Sequence, residues 1–232
     1  MKKLLIVTLS ALALCCINGL ATAASITISA PTDDVYVHSS RPDINFNHSN
    51  AGENTQLGVK SYLSSYRGLL KFDLSEIPDS AVITGATLHL YALPTSDDTI
   101  YFSRMGNDLW DEDTVTWNSY ESSFSDIQLM GHQSIQQFGY DPSWKDISLS
   151  LENWSQGVDL FDDTLTLMLD AGPLTYSYST GAIFASKEYL DPGGIHYQPS
   201  LTLEYATVPV PAAAWLFGSV VFGLVGVRRK RQ

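Results

Sequence analysis

Cysteine and basic residues are the scarce components of this 232-residue chain. Its two cysteines, Cys15 and Cys16, are adjacent and lie in an N-terminal apolar segment, so no disulfide is available to stabilise the rest of the chain. Lys and Arg total 13 against 25 Asp and Glu. Six of those 13 lie at the two ends, which leaves seven basic residues in the body. Such an acidic body repels phosphate backbones, which excludes nucleic acid as a partner.

The chain also lacks the short motifs of common catalytic and nucleotide-binding sites. It has no Gly-x-Ser-x-Gly elbow and no Gly-rich nucleotide loop, and its five histidines show no His-x-x-x-His spacing. A hydrolase needs two facing carboxylates, and carboxylates are too abundant here for their presence to favour one. We therefore predict a protein without catalysis of its own; a small polysaccharide lyase or hydrolase is the minority alternative.

The N-terminal residues 1–23 have the pattern of a secretory signal peptide. Lys2 and Lys3 precede an apolar run at 4–14, and small residues at 21–23 form a cleavage site. A membrane anchor is the weaker alternative, because the apolar run is short. The pattern predicts an exported protein.

The C-terminal residues 208–232 form a second processing segment. Val208, Pro209, Val210 and Pro211 stiffen the chain, residues 212–227 carry no charge, and Arg228, Arg229, Lys230 and Arg231 follow. Sixteen helical residues span only about 24 Å, which is marginal for a bilayer core of roughly 30 Å. The segment predicts a transmembrane helix at 212–227 with its basic end in the cytoplasm, retained transiently before processing.

This segment resembles the PEP-CTERM sorting signals in their VPLPA-like form. The order of a proline motif, a short apolar span and a basic end is that of the family, with Val210 where the commoner motif has Glu. The resemblance implies sorting by exosortase, a membrane protease-transpeptidase of Gram-negative bacteria that make exopolysaccharide. A plain single-pass anchor is the alternative.

Between these ends, apolar and polar residues alternate with the period of β-strands. Leu70, Phe72 and Leu74 share one face of such a strand, and prolines fall mostly between the alternating runs. The pattern predicts an all-β domain at 24–207, an antiparallel β-sandwich or jelly roll with one short helix. The expected strands are near 25–30, 34–38, 55–62, 68–74, 86–92, 99–105, 113–118, 127–135, 143–149, 164–169, 180–188 and 201–205, and the expected helix is at 150–157.

Three segments of this body carry a second resemblance. They read YRGLLKFDLSEIP at 66–78 with ATLHLY at 86–91, WDEDTVTWN at 110–118, and ASKE at 185–188 with PSLTLEY at 199–205. In this order they resemble the DNRLRE domain, a secreted β-sandwich related to a carbohydrate-binding module family. The resemblance spans roughly residues 30–206 and implies binding of polysaccharide.

Candidate ligand contacts are cations and exposed aromatic side chains. Arg67 and Lys71, with Lys60, form a small basic island suited to an acidic sugar, unless Arg67 pairs instead with Glu188 or Asp73. A second candidate surface includes Arg41 and Asn45 in a polar loop. Loop aromatics suited to stacking on a sugar complete the set: Tyr140, Tyr176 and Tyr178. Trp117 is expected in the core, in phase with Val115.

Acidic pairs in the loops are candidate ligands for a structural calcium ion, although no EF-hand spacing is present. Asp34, just before a strand and beside Asp33, is the best placed; solvated loop charge is the alternative. The sequence thus predicts an exported, exosortase-sorted β-sandwich at the cell surface or in the extracellular matrix of a Gram-negative bacterium. Its partners are extracellular polysaccharide, exosortase and, transiently, the membrane. A purely structural matrix component is the alternative to a binding module.

Overall fold

The structure is a computed structural model that describes residues 22–47, 55–61, 64–94, 98–122, 126–135, 142–152, 154–172 and 181–207. The chain divides into two compact units, one formed by Ala24–Tyr205 and the other by Met1–Ala23 with Ala206–Gln232. Of the second unit only Thr22, Ala23, Ala206 and Thr207 are described, as the ends of the first and last strands.

The described residues form eleven strands joined by turns and loops, with two helices of one turn each. The strands are β1 (Thr22–Ile28), β2 (Asp33–His38), β3 (Gln56–Ser61), β4 (Ser65–Asp73), β5 (Ala81–Ala92), β6 (Asp98–Met105), β7 (Ile127–Ile135), β8 (Ser143–Ser148), β9 (Thr164–Asp170), β10 (Gly181–Ala185) and β11 (Ser200–Thr207). The helices are α1 (Trp117–Tyr120) and α2 (Gln156–Asp159).

The strands are joined in one hydrogen-bonded order, β1-β11-β5-β10-β3-β4-β9-β6-β7, with β2 also paired to β4 and β8 to β5. The registered ladders, such as β4 with β9 and β5 with β8, are antiparallel. The fold is therefore an all-β antiparallel sandwich, as the alternation predicted.

The main core lies between the strands around β4 and those around β5. Leu70 and Phe72 of β4 pack in the same cluster as Leu88 and Leu90 of β5, and all four are fully buried. Leu167 lies opposite Leu70 in the register and joins them. The alternating face predicted from the sequence is the face that is buried, and its burial drives the packing of the two layers.

A second, smaller core covers the opposite face of β4. Leu69 and Met168 pack there against Trp110, Val115 and the fully buried Tyr120. The connection from β6 to β7 therefore folds back over the outside of the sheet and buries Leu69 of β4 there.

The strand predicted at 113–118 is wrong, because these residues form a turn and the start of α1. Thr116 caps the helix: its Oγ1 accepts from the Ser119 backbone N–H at 3.2 Å, and its own N–H donates to Ser119 Oγ at 2.9 Å. This reciprocal pair satisfies the backbone locally, which a strand ladder would otherwise do. Trp117, expected in the core, is only partly buried and packs against the second cluster.

The helix predicted at 150–157 is displaced: α2 is Gln156–Asp159, and Gly157 lies inside it. Its position is fixed by Asp159, which is fully buried and accepts from Arg104 Nε of β6 at 2.9 and 3.0 Å. Trp154 Nε1 also donates to Asp159. The buried charge is thus paired and hydrogen-bonded, as burial of a carboxylate requires.

Candidate functional site

Four aromatic side chains meet on the outer side of the sheet formed by β5 and β8. Tyr91 of β5 lies directly opposite Trp144 of β8 in the antiparallel register. Tyr189 and Tyr197 come from the connection between β10 and β11. We call this group of Tyr91, Trp144, Tyr189 and Tyr197 the aromatic platform.

The rings of the aromatic platform are in mutual contact. Tyr91 and Tyr197 are stacked, with centroids 3.9 Å apart and planes 15° from parallel. Trp144 meets Tyr91 edge-on at 5.4 Å and Tyr197 at 6.1 Å, and Tyr189 lies 6.3 Å from Tyr197. Trp144 is nevertheless 47% exposed. The stacked pair supports an indole that presents a large part of its surface to solvent.

Strand alternation explains why these rings point outward. Leu88 and Leu90 fill the inner face of β5, so His89 and Tyr91 occupy the outer face. His89 Nδ1 lies 2.7 Å from Asp146 Oδ1, and its Nε2 lies 3.0 Å from Thr202 Oγ1. Polar groups able to bond sugar hydroxyls thus lie one step along the strand from the aromatic rings.

The connection from β10 to β11 is held in a turn beside the platform. Leu190 and His196 form an isolated antiparallel bridge, and Asp191 Oδ1 accepts from the Ile195 backbone N–H at 2.8 Å. Gly194 closes the turn at φ +81°, a conformation that favours glycine. The turn sets Tyr189 and Tyr197 on its two flanks.

Burial, together with the charge and hydrogen bond of Tyr197, raises the pKa of the Tyr91 phenol. Tyr91 therefore remains a protonated hydroxyl, and a hydrogen-bond donor, across the physiological range.

The predicted basic residues Arg67 and Lys71 lie on one face of β4, and each is paired with a carboxylate. Arg67 Nε donates to Asp170 Oδ2 at 3.1 Å, and Lys71 Nζ lies 3.2 Å from Asp33 Oδ2. The sequence offered Glu188 or Asp73 as an alternative ion-pair partner for Arg67, whereas the pair in the structure is with Asp170. Arg67 also lies 5.1 Å from the centroid of the Trp117 ring.

Asn45 of the predicted polar loop holds the neighbouring chain in place. Its Nδ2 donates to the carbonyls of Glu112 at 2.7 Å and Val115 at 2.8 Å. Arg41, in the same loop, is exposed. Tyr140, Tyr176 and Tyr178 lie outside the described residues, as do the sorting residues Val208, Pro209, Val210, Pro211, Arg228, Arg229, Lys230 and Arg231.

Of the two predicted calcium ligands, Asp33 pairs with Lys71. Asp34 lies beside Glu112 and Glu188, and we call these three residues the carboxylate group. One carboxylate oxygen from each of Asp34, Glu112 and Glu188 lies within 4.8 Å of the others. A similar group of Asp108, Asp159 and Asp162 exists elsewhere. Asp159 in that second group is already neutralised by Arg104.

Within the described ranges, the structure contains no helix with the length and apolar character needed to cross a bilayer. The predicted span at 212–227 lies outside those ranges.

The sequence did not single out the aromatic platform. Its members are far apart in the chain: Tyr91 and Trp144 meet through the register of β5 and β8, and Tyr189 and Tyr197 reach them from the connection after β10. The sequence contains one indication of the platform. Leu88 and Leu90 lie on one face of the alternating strand and Tyr91 on the other, which places a large aromatic ring on a polar face.

The sequence model of carbohydrate-binding module family 96 matches residues 25–140. Among solved structures, one described as carbohydrate-binding modules from the β-sandwich superfamily with promiscuous specificity is similar at 13% identity and a TM-score of 0.24. The alignment covers 82% of this chain and 57% of the other, so this chain spans little more than half the length of that structure. No curated protein matches the chain. Tyr91 lies within the family match, and Trp144, Tyr189 and Tyr197 follow it.

Proposed function

The chain belongs to carbohydrate-binding module family 96, and we propose that it binds an extracellular polysaccharide on the aromatic platform without cleaving it. The observation that supports this site is Trp144, an indole exposed over nearly half its surface and braced by the stacked Tyr91 and Tyr197. An aromatic ring with solvent on one face offers the flat apolar surface on which a pyranose ring stacks.

The polar groups beside the platform complete a sugar site. Both ring nitrogens of His89 are already hydrogen-bonded, and the exposed carboxylate of Asp146 beside it offers an acceptor to sugar hydroxyl groups on the same outer face as Tyr91. The acidic body disfavours a polyanion, since only seven basic residues lie between the two end segments. We therefore propose a neutral glycan as the ligand of the platform.

The Arg67 surface is the second candidate site. Arg67 and Lys71 with Trp117 would suit an acidic sugar. Further ligand contacts remain proposed from the sequence at Arg41, Asn45, Tyr140, Tyr176 and Tyr178. Both cations already pair with Asp170 and Asp33, so an acidic ligand would have to compete with those carboxylates. This competition makes the platform the favoured site.

The family points to binding rather than catalysis, and two alternatives remain open to test. A purely structural matrix component would show no saturable glycan affinity. A small polysaccharide lyase or hydrolase would release unsaturated or reducing ends from its substrate.

We further propose that the chain is exported and sorted to the cell surface or matrix of a Gram-negative bacterium. The signal-like residues 1–23 and the PEP-CTERM-like residues 208–232 support this, with exosortase and the membrane as transient partners. Deleting 208–232 should redirect the protein from the surface fraction to the medium or periplasm. Unchanged location after the deletion would refute the sorting proposal.

The proposed binding function is tested on a glycan panel that includes neutral polysaccharides and an alginate-like uronate. Retention and the release of reducing or unsaturated ends are measured together, with calcium and with chelator. Retention of neutral glycans without new ends supports the proposal. Preferential retention of the uronate would indicate that the glycan binds at the Arg67 surface instead of the platform. No retention of any glycan would favour the structural alternative.

A further inference from the structure

The carboxylate group of Asp34, Glu112 and Glu188 brings together three parts of the fold that are distant in sequence. Asp34 lies in β2, Glu112 in the connection after β6, and Glu188 in the connection after β10. The backbone N–H of Asp34 donates to Glu112 Oε2 at 2.9 Å, which holds the first two side by side. Glu188 accepts from Ser186 Oγ at 3.0 Å, which orients the third.

Asp34 is the unusual member of the group. It is 2% exposed, and its Oδ2 accepts from the Lys187 backbone N–H at 2.7 Å. Its Oδ1 is buried and has no hydrogen-bond partner among the residues that the structure describes. A buried carboxylate oxygen without a donor is costly unless a cation or a proton satisfies it.

Among the described residues, one ammonium group is paired with two of the three carboxylates, and its charge does not balance theirs. Lys187 Nζ lies 2.6 Å from Glu112 Oε2 and 3.8 Å from Glu188 Oε1, and it also donates to the Thr32 carbonyl at 2.6 Å. Three carboxylates therefore face one ammonium. Burial, and after it the charge of Glu188, raises the pKa of Asp34 well above its usual range.

We propose that Asp34, Glu112 and Glu188 bind one calcium ion, with Asp34 Oδ1 as the buried ligand. All three offer oxygen, which is the donor that hard divalent cations prefer, and calcium tolerates the irregular geometry of ligands from separate loops. A divalent charge balances the excess of carboxylate over ammonium. The site differs from the acidic pair predicted from the sequence, because Glu112 and Glu188 replace Asp33. The proposal is independent of the sugar site.

The test is calcium binding by the full chain after removal of divalent ions, measured by equilibrium dialysis and by thermal unfolding with calcium, magnesium or chelator. We expect one calcium per chain and a higher Tm with calcium than with chelator. We expect magnesium to bind more weakly, since it demands a stricter octahedral geometry. Absence of binding at millimolar calcium, or a preference for magnesium, would overturn the proposal; in the first case a proton would satisfy Asp34.

Substitutions of the three carboxylates test whether these residues bind the calcium ion. Glu188→Gln removes one charge at a half-buried position and should weaken calcium binding at least tenfold with the fold retained. Asp34→Asn should abolish binding, and Glu112→Gln serves in its place if that variant does not fold. Glu76→Gln removes an exposed charge on another loop and should leave binding unchanged. Unaltered calcium affinity in Glu188→Gln and Glu112→Gln would place any bound ion elsewhere and refute the assignment.

Discussion

Replacement of Trp144 by alanine is the sharpest test of the aromatic platform. A covered tryptophan buries up to roughly 250 Å², so the 47% exposure of Trp144 leaves about 100 Å² or slightly more for a ligand. A pyranose ring on one face of the indole covers about half of that area. At about 25 cal/mol per Å², the lost contact is worth about 1–1.5 kcal/mol. The variant should therefore raise Kd for the glycan about tenfold.

The assay is isothermal titration with the neutral glycan that the panel identifies. Trp144→Phe should retain part of the affinity, because a smaller ring still offers a stacking face. Phe161→Ala is the matched control, since Phe161 is an aromatic residue that is 81% exposed on a different segment. Its removal should leave Kd unchanged.

The result that would refute the reasoning is an unchanged Kd in Trp144→Ala together with a large loss in Arg67→Ala. The Tm of each variant must be measured beside Kd, because Trp144 also packs edge-on against Tyr91. A loss of affinity without a loss of Tm assigns the effect to the ligand contact.

Three further predictions concern stability. Asp159→Ala leaves the guanidinium of Arg104 buried without its carboxylate, and chemical denaturation should record a loss of about 3–5 kcal/mol; a loss below 1 kcal/mol would contradict the buried pair. Thr116→Ala removes the cap of α1 and should cost about 1 kcal/mol, whereas Thr116→Ser should be near neutral. His38 is buried among Phe46 and Tyr66, and burial, with the charges of Arg41 and Lys60, lowers its pKa. The unfolded chain therefore binds a proton at His38 more readily than the folded chain does. The stability that the neutral His38 contributes is present above about pH 6.5 and is lost as pH falls through the folded pKa. His38→Gln should flatten the fall of Tm between neutral and acidic pH, whereas the exposed His132→Gln should not; equal slopes in both variants would refute this role of His38.

The parts of the fold that the sequence predicted are those set by local alternation. Leu70 and Phe72 alternate with Lys71 and Asp73, which identifies the buried face of β4 from the sequence; Leu69, the apolar neighbour, packs in the second core instead. The region at 113–118 could not be assigned in this way, since Thr116 and Ser119 satisfy each other through side-chain bonds that alternation does not register. A Val-x-Trp pattern is compatible with a strand and with a capped turn.

The candidate sites were less predictable, because each depends on contacts between distant residues. Trp144 faces Tyr91 only through the register of β5 and β8. Asp34 was recognised from its position before a strand, but Glu112 and Glu188 reach it from connections whose paths the sequence does not specify. Asp33, its neighbour in the chain, pairs with Lys71 across β2 and β4 instead.

The connection between β10 and β11 links the two proposed sites. Lys187 donates its backbone N–H to Asp34, Glu188 joins the carboxylate group, and Tyr189 follows as a member of the platform. An ion that fixed Glu188 would therefore restrict the backbone that positions Tyr189 beside Tyr197. Because that backbone would already be ordered, glycan binding would lose less conformational entropy. Preorganisation of this kind increases affinity without a new contact.

The family match ends at residue 140, before either site is complete. The matched part supplies Asp34, Glu112 and Tyr91, whereas Trp144, Tyr197 and Glu188 all come from the residues after it. Strand β8, which carries Trp144, and strand β11, which carries Thr202 beside His89, also lie beyond that limit. A fragment ending at 140 would retain the sequence features of the family and lose both the platform and the carboxylate group. Such a fragment would also lose β9, which pairs with β4 and carries Asp170, the partner of Arg67, so the Arg67 surface would not be preserved either.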